Sequence, residues 1–385
     1  VVSDLFFDIV RFFLNPVFYI AIAAAIVLGY VRVKRERKMF RSRIVWGWTE
    51  LVDLLRNTLL ISLLLSVVMA GIGLTVPMEW LIALTAISFV MVLSGWYQMG
   101  SFVYLSAAAV ALGWLFRRFG WDINVGPIAY EGLYINWEWL LPVALLTAGL
   151  LVAEGILIKK QGAPRSSPRL EKSARGLTAA SFETKRLWLL PILLVVPGDL
   201  IASSTPYWPQ LTIGETAFSF ILFPFIIGFG NRTRKTLPLY FYPALGKSIL
   251  SLGIAVLILA LISFAWEPMA LIAIGIAALG RFGLMIRSIL RERGGLHAAA
   301  PQAQGVMILD VLPKSPAEKM GLLRGEVIRK INGLTVSNET ELYEAIQVNA
   351  AHCRLEVLDH QGEVRLRQHV IFRHDHHRLG LIVLG

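Results

Sequence analysis

Cysteine is nearly absent: Cys353 is the only one in 385 residues. No disulfide can form within the chain, and no zinc site can rest on cysteine pairs. Charge is scarce too, with 16% charged residues against 56% hydrophobic ones and a mean hydropathy of +0.63. Soluble chains carry about 25% charged residues, so much of this apolar surface needs a solvent other than a protein core. Histidine is missing from the first 296 residues; all seven lie between 297 and 377. An intramembrane zinc protease needs His-Glu-x-x-His on a membrane helix, and an intramembrane serine protease needs a histidine base in a span. Both are excluded, and the chain has no room for a soluble protease domain.

What is present is a series of apolar runs, near 12–31, 54–76, 80–94, 97–116, 138–158, 187–205, 211–230, 239–263 and 268–288. Most approach the roughly 20 residues that cross a bilayer as a helix. The third is short and reads as a span, as a re-entrant segment or as a hairpin with the fourth, so eight and nine transmembrane helices both stand. The first run is followed by a basic cluster and reads as a retained helix rather than a cleaved signal. The expected architecture is an α-helical polytopic membrane bundle over 1–293, a linker over 294–302 and a small α+β domain over 303–385. Residues 159–186 read as a cytoplasmic linker joining two helical bundles, with Gln161-Gly-Ala-Pro-Arg-Ser-Ser-Pro168 as its flexible part.

The loops set the orientation. Arg32 to Arg43 holds seven basic residues, and 159–186 holds eight. Arg232, Arg234 and Lys235 follow the seventh run, and Arg287, Arg291 and Arg293 close the ninth. The alternate loops near 77–79, 206–210 and 264–267 contain no Lys or Arg; only Arg117 and Arg118 break the pattern. Basic loops stay in the cytoplasm, and so does everything after Arg293. Trp80, Trp121, Trp137, Trp139, Trp208 and Trp266 read as an interfacial belt. The net charge of +11 raises nucleic-acid binding, but residues 301–385 hold ten bases and ten acids. The excess lies between the spans, where topology accounts for it, and no nucleic-acid partner is expected. The same basic loops can also meet anionic lipid.

Ionisable groups inside spans are functional candidates. Glu154 and Asp199 lie deepest, and with Pro224 and Pro243 they keep a transporter reading open. His369, His374, Asp375, His376 and His377 raise a metal site, but without ligand spacing they read as a surface turn, and no metal or cofactor is expected.

From Gly305 the texture changes. Gly305–Leu312 alternates as a strand, and Ser315-Pro316 opens a helical turn that Gly321 closes. Glu326–Ile331 is a strand before the Asn332-Gly333 turn, and Asn338–Val348 is an amphipathic helix. Arg354–Leu358 and Glu363–Val370 form a hairpin, and Leu379–Leu384 is a final strand. Gly305-Val306, Ser315-Pro316-Ala317, Gly321-Leu322, Gly325-Glu326-Val327-Ile328 and Ile331-Asn332-Gly333 together resemble a bacterial PDZ domain, with Glu326 where Asp is usual. The terminal Leu379-Gly380-Leu381-Ile382 is similar to the strand that such domains place before their carboxylate loop, which implies a circularly permuted arrangement. The resemblance implies a peptide-binding groove, with a partner peptide added as a strand beside 305–311 and its side chains against the 339–348 helix. The expected groove residues are Gly305, Val306, Met307, Ile308, Leu342, Ala345 and Ile346, with Gly305 letting its backbone approach a peptide carboxylate. Ordinary core is the competing reading for the apolar ones.

The Phe12-Phe-Leu-Asn-Pro-Val-Phe-Tyr19 segment, the basic Val31–Arg43 stretch and the terminal Arg378-Leu-Gly-Leu381 are similar to the MinJ-like family of cell-division topological determinants. That resemblance implies a non-enzymatic membrane scaffold in division-site selection, linking DivIVA to MinD and MinC, enriched at septum and poles. Two other readings remain: a PDZ regulator of a membrane protease or sensor kinase, and a transporter with an accessory PDZ domain.

Overall fold

The computed structural model describes residues 13, 15–73, 75–125, 128–130, 132–133, 137–173, 176–197, 210–213, 216–302, 304–349, 352–370 and 379–384. Asp199, Trp208 and the His374–His377 turn lie outside them.

Helix α1 (Pro16–Phe40) starts where the Asn15 side chain accepts from the Val17 amide at 2.9 Å, with Pro16 set for a first turn. It is followed by α2 (Thr49–Arg56), α3 (Leu59–Ile72), α4 (Met78–Ser94), a 3₁₀ turn at Tyr97–Met99 and α5 (Phe102–Phe119). Strands β1 (Ile123–Val125) and β2 (Ile128–Tyr130) make a small hairpin before α6 (Trp137–Gln161). Strands β3 (Ser167–Lys172), β4 (Thr178–Pro197), β5 (Gln210–Ile213) and β6 (Thr216–Thr233) form a sheet in the order β3-β4-β6-β5. Helices α7 (Pro238–Ile262) and α8 (Met269–Glu292) complete the bundle. Among the described residues, six helical stretches are long and apolar enough to cross a membrane, and Met78–Ser94 is a shorter seventh. With the charge asymmetry of the loops, this is a multi-pass membrane protein.

Two of the nine expected spans, 187–205 and 211–230, are not helices where described. They supply β4 and β6, which pair antiparallel from Phe182↔Thr233 to Pro197↔Phe218. The residues explain it. Leu-, Val- and Ile-rich β4 and aromatic β6 set Pro191 opposite Pro224, and β6 carries Gly228 and Gly230; proline and glycine disfavour helix interiors. Both faces of β4 are buried, with Trp188, Leu189, Leu190, Ile192 and Leu194 all at 0% exposure, so the alternation that marks a half-exposed strand is missing. The hairpin leaves and returns on the same side, so the expected side for every later segment is unchanged. Nor is 159–186 a loose linker: Ser167–Lys172 pairs with Thr178–Glu183.

Strand backbone at membrane depth is tolerated only where protein satisfies it, and here it does. The Thr58 hydroxyl donates to Leu189 O at 2.6 Å, Leu193 N donates to Ser66 Oγ at 2.9 Å, and Val76 N donates to Val195 O at 3.1 Å. On β6, Gly228 N donates to Gly100 O at 2.7 Å. A Cβ on Gly100 would stand 2.7 Å from Gly228 Cα, so the turn and the strand meet only as glycines. Small residues also let α6 and α7 touch: a Cβ on Gly155 would lie 2.7 Å from Leu250 N, and one on Gly246 2.7 Å from Lys159 N.

Glu154 is fully buried and takes Arg281 Nη2 at 2.8 Å, Arg281 Nε at 2.9 Å and Ser101 Oγ at 2.5 Å. The pair ties α6, α8 and the start of α5. Trp80, expected at the interface, is at 0% exposure within the bundle, while Trp121 and Trp266 are exposed.

Removing one member of a buried pair strands the other at a cost of about 3–5 kcal/mol, whereas an apolar replacement of both is close to neutral. Glu154→Leu or Arg281→Met alone should therefore lower the thermal midpoint in detergent sharply, and the double variant should recover most of the loss. A double variant as unstable as the singles would contradict a purely structural pair.

Candidate functional site

The C-terminal domain is built from β7 (Val306–Val311), α9 (Pro316–Lys319), β8 (Val327–Ile331), β9 (Leu334–Thr335), α10 (Glu339–Val348), β10 (Cys353–Leu358), β11 (Val364–His369) and β12 (Leu381–Leu384). The elements match the expected ones. Ser315 accepts from Glu318 N at α9, Asn338 accepts from Glu341 N at α10, and Asn332 and Gly333 take positive φ at the turn.

The sheet runs β11-β10-β8-β7-β12. Strand β7 is therefore interior. Its one edge meets β8 at Val306↔Ile328 and Met307↔Val327, and its other meets β12 from Leu381↔Val311 to Leu384↔Met307. A peptide has no free edge beside 305–311. The terminal strand of the sheet path is β12, which in the sequence is the final strand and is similar to the one that bacterial PDZ domains place before their carboxylate loop. Gly305 likewise serves the sheet: φ is +101°, and a Cβ there would stand 2.6 Å from Val327 Cγ1 and 2.8 Å from Ile328 O.

Val306, Ile308, Leu342, Ala345 and Ile346 share one buried cluster with Leu379 and Leu381, and Tyr343 and Val383 pack half-buried against it. The helix face read from its spacing is buried, and its deep residues are core. Met307 belongs elsewhere: with Leu309, Ile382 and Leu384 it faces Ile44, Ala180, Phe182 and Ala299. Alternation along β7 and β12 sends one set of side chains to α10 and the other to the membrane-domain sheet.

Gly380 carries the bend into β12. Its φ is +77°, and a Cβ would come within 2.3 Å of Ser315 Cβ. The carbonyls of Gly380 and Leu379 accept from Leu312 N at 2.8 Å and Ala317 N at 3.0 Å, fixing the approach to the edge strand. Cys353 is buried, which pushes its thiol up to about 11 and keeps it protonated and unreactive. Among the described residues no cluster of His, Cys, Asp and Glu could hold a metal.

Arg324 holds this domain against the membrane half. Its Nε donates to Asp310 Oδ1 at 2.6 Å, and Nη1 donates to Ser166 Oγ at 2.7 Å and Ala163 O at 3.0 Å. The segment 294–302, expected to be a linker, is pinned by Ala298 N to Arg234 O and Ala180 N to Ala299 O, each 2.8 Å. Burial pushes the Asp310 carboxyl up, and the Arg324 guanidinium offsets only part of that.

Arg324→Ala strands Asp310 at a cost on the order of 3 kcal/mol. Hydrogen exchange on the full chain should show faster exchange at 163–166, 167–172 and 307–310. Asp310 titrates above its ordinary value of about 3.9, so its bound proton stabilises the fold fully below that value, and this is lost as pH rises through the raised one. The variant removes the offset and raises it further, so its deficit should be smaller at pH 5 than at pH 7.5. A pH-independent deficit would contradict this.

A PDZ domain family matches residues 307–359. Over 77 residues the chain is 38% identical to the "Probable periplasmic serine protease do/HhoA-like" of Haemophilus influenzae, covering 18% of this chain and 16% of that protein. That likeness is confined to one small stretch. Over 375 residues it is 33% identical to "Cell division topological determinant MinJ" of Bacillus subtilis, covering 96% of this chain and 92% of that protein. It is 24% identical over 389 residues to "Probable cell division topological determinant MinJ" of Lacticaseibacillus paracasei, covering 97% and 98%. A membrane bundle, a cytoplasmic PDZ domain and this end-to-end identity together place the chain in the MinJ family of cell-division topological determinants.

Proposed function

We propose that the chain is a scaffold for division-site selection, capturing partners through the edge of β12 and linking DivIVA to MinD and MinC. The observation that carries the groove is the strand order, which leaves β12 terminal beside α10. A peptide adding there would bond its main chain to β12 and lay alternate side chains between Val383 and Tyr343, above the floor of Leu342, Ala345 and Ile346. The final strand, pairing with the first strand of the domain, is what supports a circularly permuted arrangement. The MinJ resemblance supports the partner set and enrichment at septum and poles. The membrane half, over 1–293, concentrates the groove in two dimensions near partners that also sit on the membrane.

A buried core residue is a poor probe: Ile346 is at 0% exposure, and a charge there would unfold the domain. Tyr343 and Val383 flank the groove half-buried. Tyr343→Glu with Val383→Lys in the full chain, reconstituted in nanodiscs, should weaken capture of purified DivIVA or MinD at least tenfold, with the thermal midpoint held within a few degrees. Unchanged capture of both partners by the folded double variant would move the docking surface away from β12.

A further inference from the structure

Most buried acids of this protein are closely matched. Asp53 faces Arg165 at 2.9 Å and Arg186 at 2.6 Å, Glu154 faces Arg281, and Glu292 accepts the amides of Arg234 and Lys235 at 2.6 and 2.7 Å. One place is not balanced. Glu183 draws four cations: Arg35 donates to it, and Lys185, Arg169 and Arg232 lie 3.5, 3.6 and 4.0 Å away. Neighbouring Glu171 is shared by Arg234 at 3.1 Å and Arg232 at 3.7 Å. Five cations thus face two carboxylates, a local surplus of three positive charges. Arg35 Nε is buried and has no acceptor among the described residues.

A cleft of about 400 Å³ opens beside this cluster between α1 and α4. Its mouth carries Arg32, Arg35, Arg165 and Lys185 against Glu50 and Glu183, still an excess of positive charge, and the rest of its length is largely apolar, with Ala24, Val27 and Val31 on α1 and Leu93 on α4. A second cavity of about 700 Å³ meets it at Tyr97, Glu183 and Lys185 and adds Arg232, Arg234 and Arg293 against Glu292. The apolar part lies on membrane-spanning helices, and the basic part lies at their cytoplasmic end, where positive-inside topology puts it.

We propose that this cleft holds an anionic glycerophospholipid of the cytoplasmic leaflet, its phosphate at Arg35 and Lys185 and an acyl chain along the α1–α4 groove. The charge surplus selects an anion over a zwitterion. The apolar length selects a lipid over a free anion, because a small solute would leave the α1 and α4 side chains uncovered. Basic pockets at the cytoplasmic ends of transmembrane helices recognise headgroups in this way, at about 1 kcal/mol for each cation near the surface. Glu183 keeps its charge there, since burial pushes its carboxyl up but Arg35, Lys185, Arg232 and Arg169 together bring it below the ordinary value. It acts as the post that holds these side chains at the mouth. A lipid seated there would brace α1 against β4 and the turn before α5.

The test uses the full chain purified in a neutral detergent. Native mass spectrometry would follow retention of phosphatidylglycerol, phosphatidylcholine and sn-glycerol 3-phosphate. Lys185 and Arg232 side chains are 51% and 31% exposed, so Lys185→Gln with Arg232→Gln leaves the core intact. About fivefold for each cation predicts a loss of roughly 25-fold in phosphatidylglycerol affinity. Val27 is 57% exposed, and Val27→Trp fills the apolar length without touching the mouth; it should also lower retention, with an unchanged melting temperature. Equal retention of phosphatidylcholine overturns the proposal, as does full retention by folded Val27→Trp. Displacement of phosphatidylglycerol by an equal concentration of glycerol phosphate would make the site one for a free anion, and it too overturns the proposal.

Discussion

At membrane depth a backbone amide finds no water, and every one must meet an acceptor inside the protein. Helices meet this rule by themselves. Strand β4 meets it through β6, through the side chains of Thr58 and Ser66 at the start of and within α3, and through the Val76 amide, which is why the hairpin sits inside the bundle rather than at its edge. The rest of the molecule is arranged along that strand. Its apolar end, Leu187–Val196, fills the space between helices, and Arg186 and Glu183 anchor the charged network at the cytoplasmic end. Beyond them, Phe182 and Ala180 lie under the PDZ sheet.

This arrangement changes the meaning of the basic loops. Positive-inside topology explains why the cations are cytoplasmic, but many of them are partnered. Arg32 bonds Glu50 and Glu36 at 2.7 and 3.0 Å, and Arg186 is 3% exposed between Glu50 and Asp53. The network joins α1, α2 and β4 to the turn after α6, and Arg324 carries it on into the PDZ domain. A scaffold benefits from such continuity, because a groove held at a fixed place over the membrane loses less freedom on binding than one on a loose tether.

Much of the C-terminal domain was legible because each element has a local signature. Ser315 and Asn338 announce helix starts, Asn332-Gly333 a tight turn, and Leu342, Ala345 and Ile346 a buried helix face. Among the described residues, seven of the nine apolar runs are helical, and these were legible from hydropathy. The β4–β6 hairpin was not, because a strand buried on both faces and a membrane helix share the same apolar run; the opposed Pro191 and Pro224 were the available hint. The interior position of β7 was hidden for a related reason. Sequence order puts 305–311 first in its domain, and only the pairing of Leu381–Leu384 with it shows that the last strand, rather than the first, ends the sheet. The buried pairs of Glu154 with Arg281 and Asp53 with Arg186 join residues far apart in the chain, and no spacing rule reveals them.

The central claim is that the cytoplasmic groove, held over the membrane by this frame, directs the protein to division sites. Fluorescence imaging of the full-length chain in its own host tests it most directly, comparing the native sequence with Val383→Lys at equal expression. The account predicts septal and polar signal for the native protein, an even membrane signal for the variant, and longer cells when the variant is the only copy. Septal enrichment and cell length unchanged by the variant would contradict it.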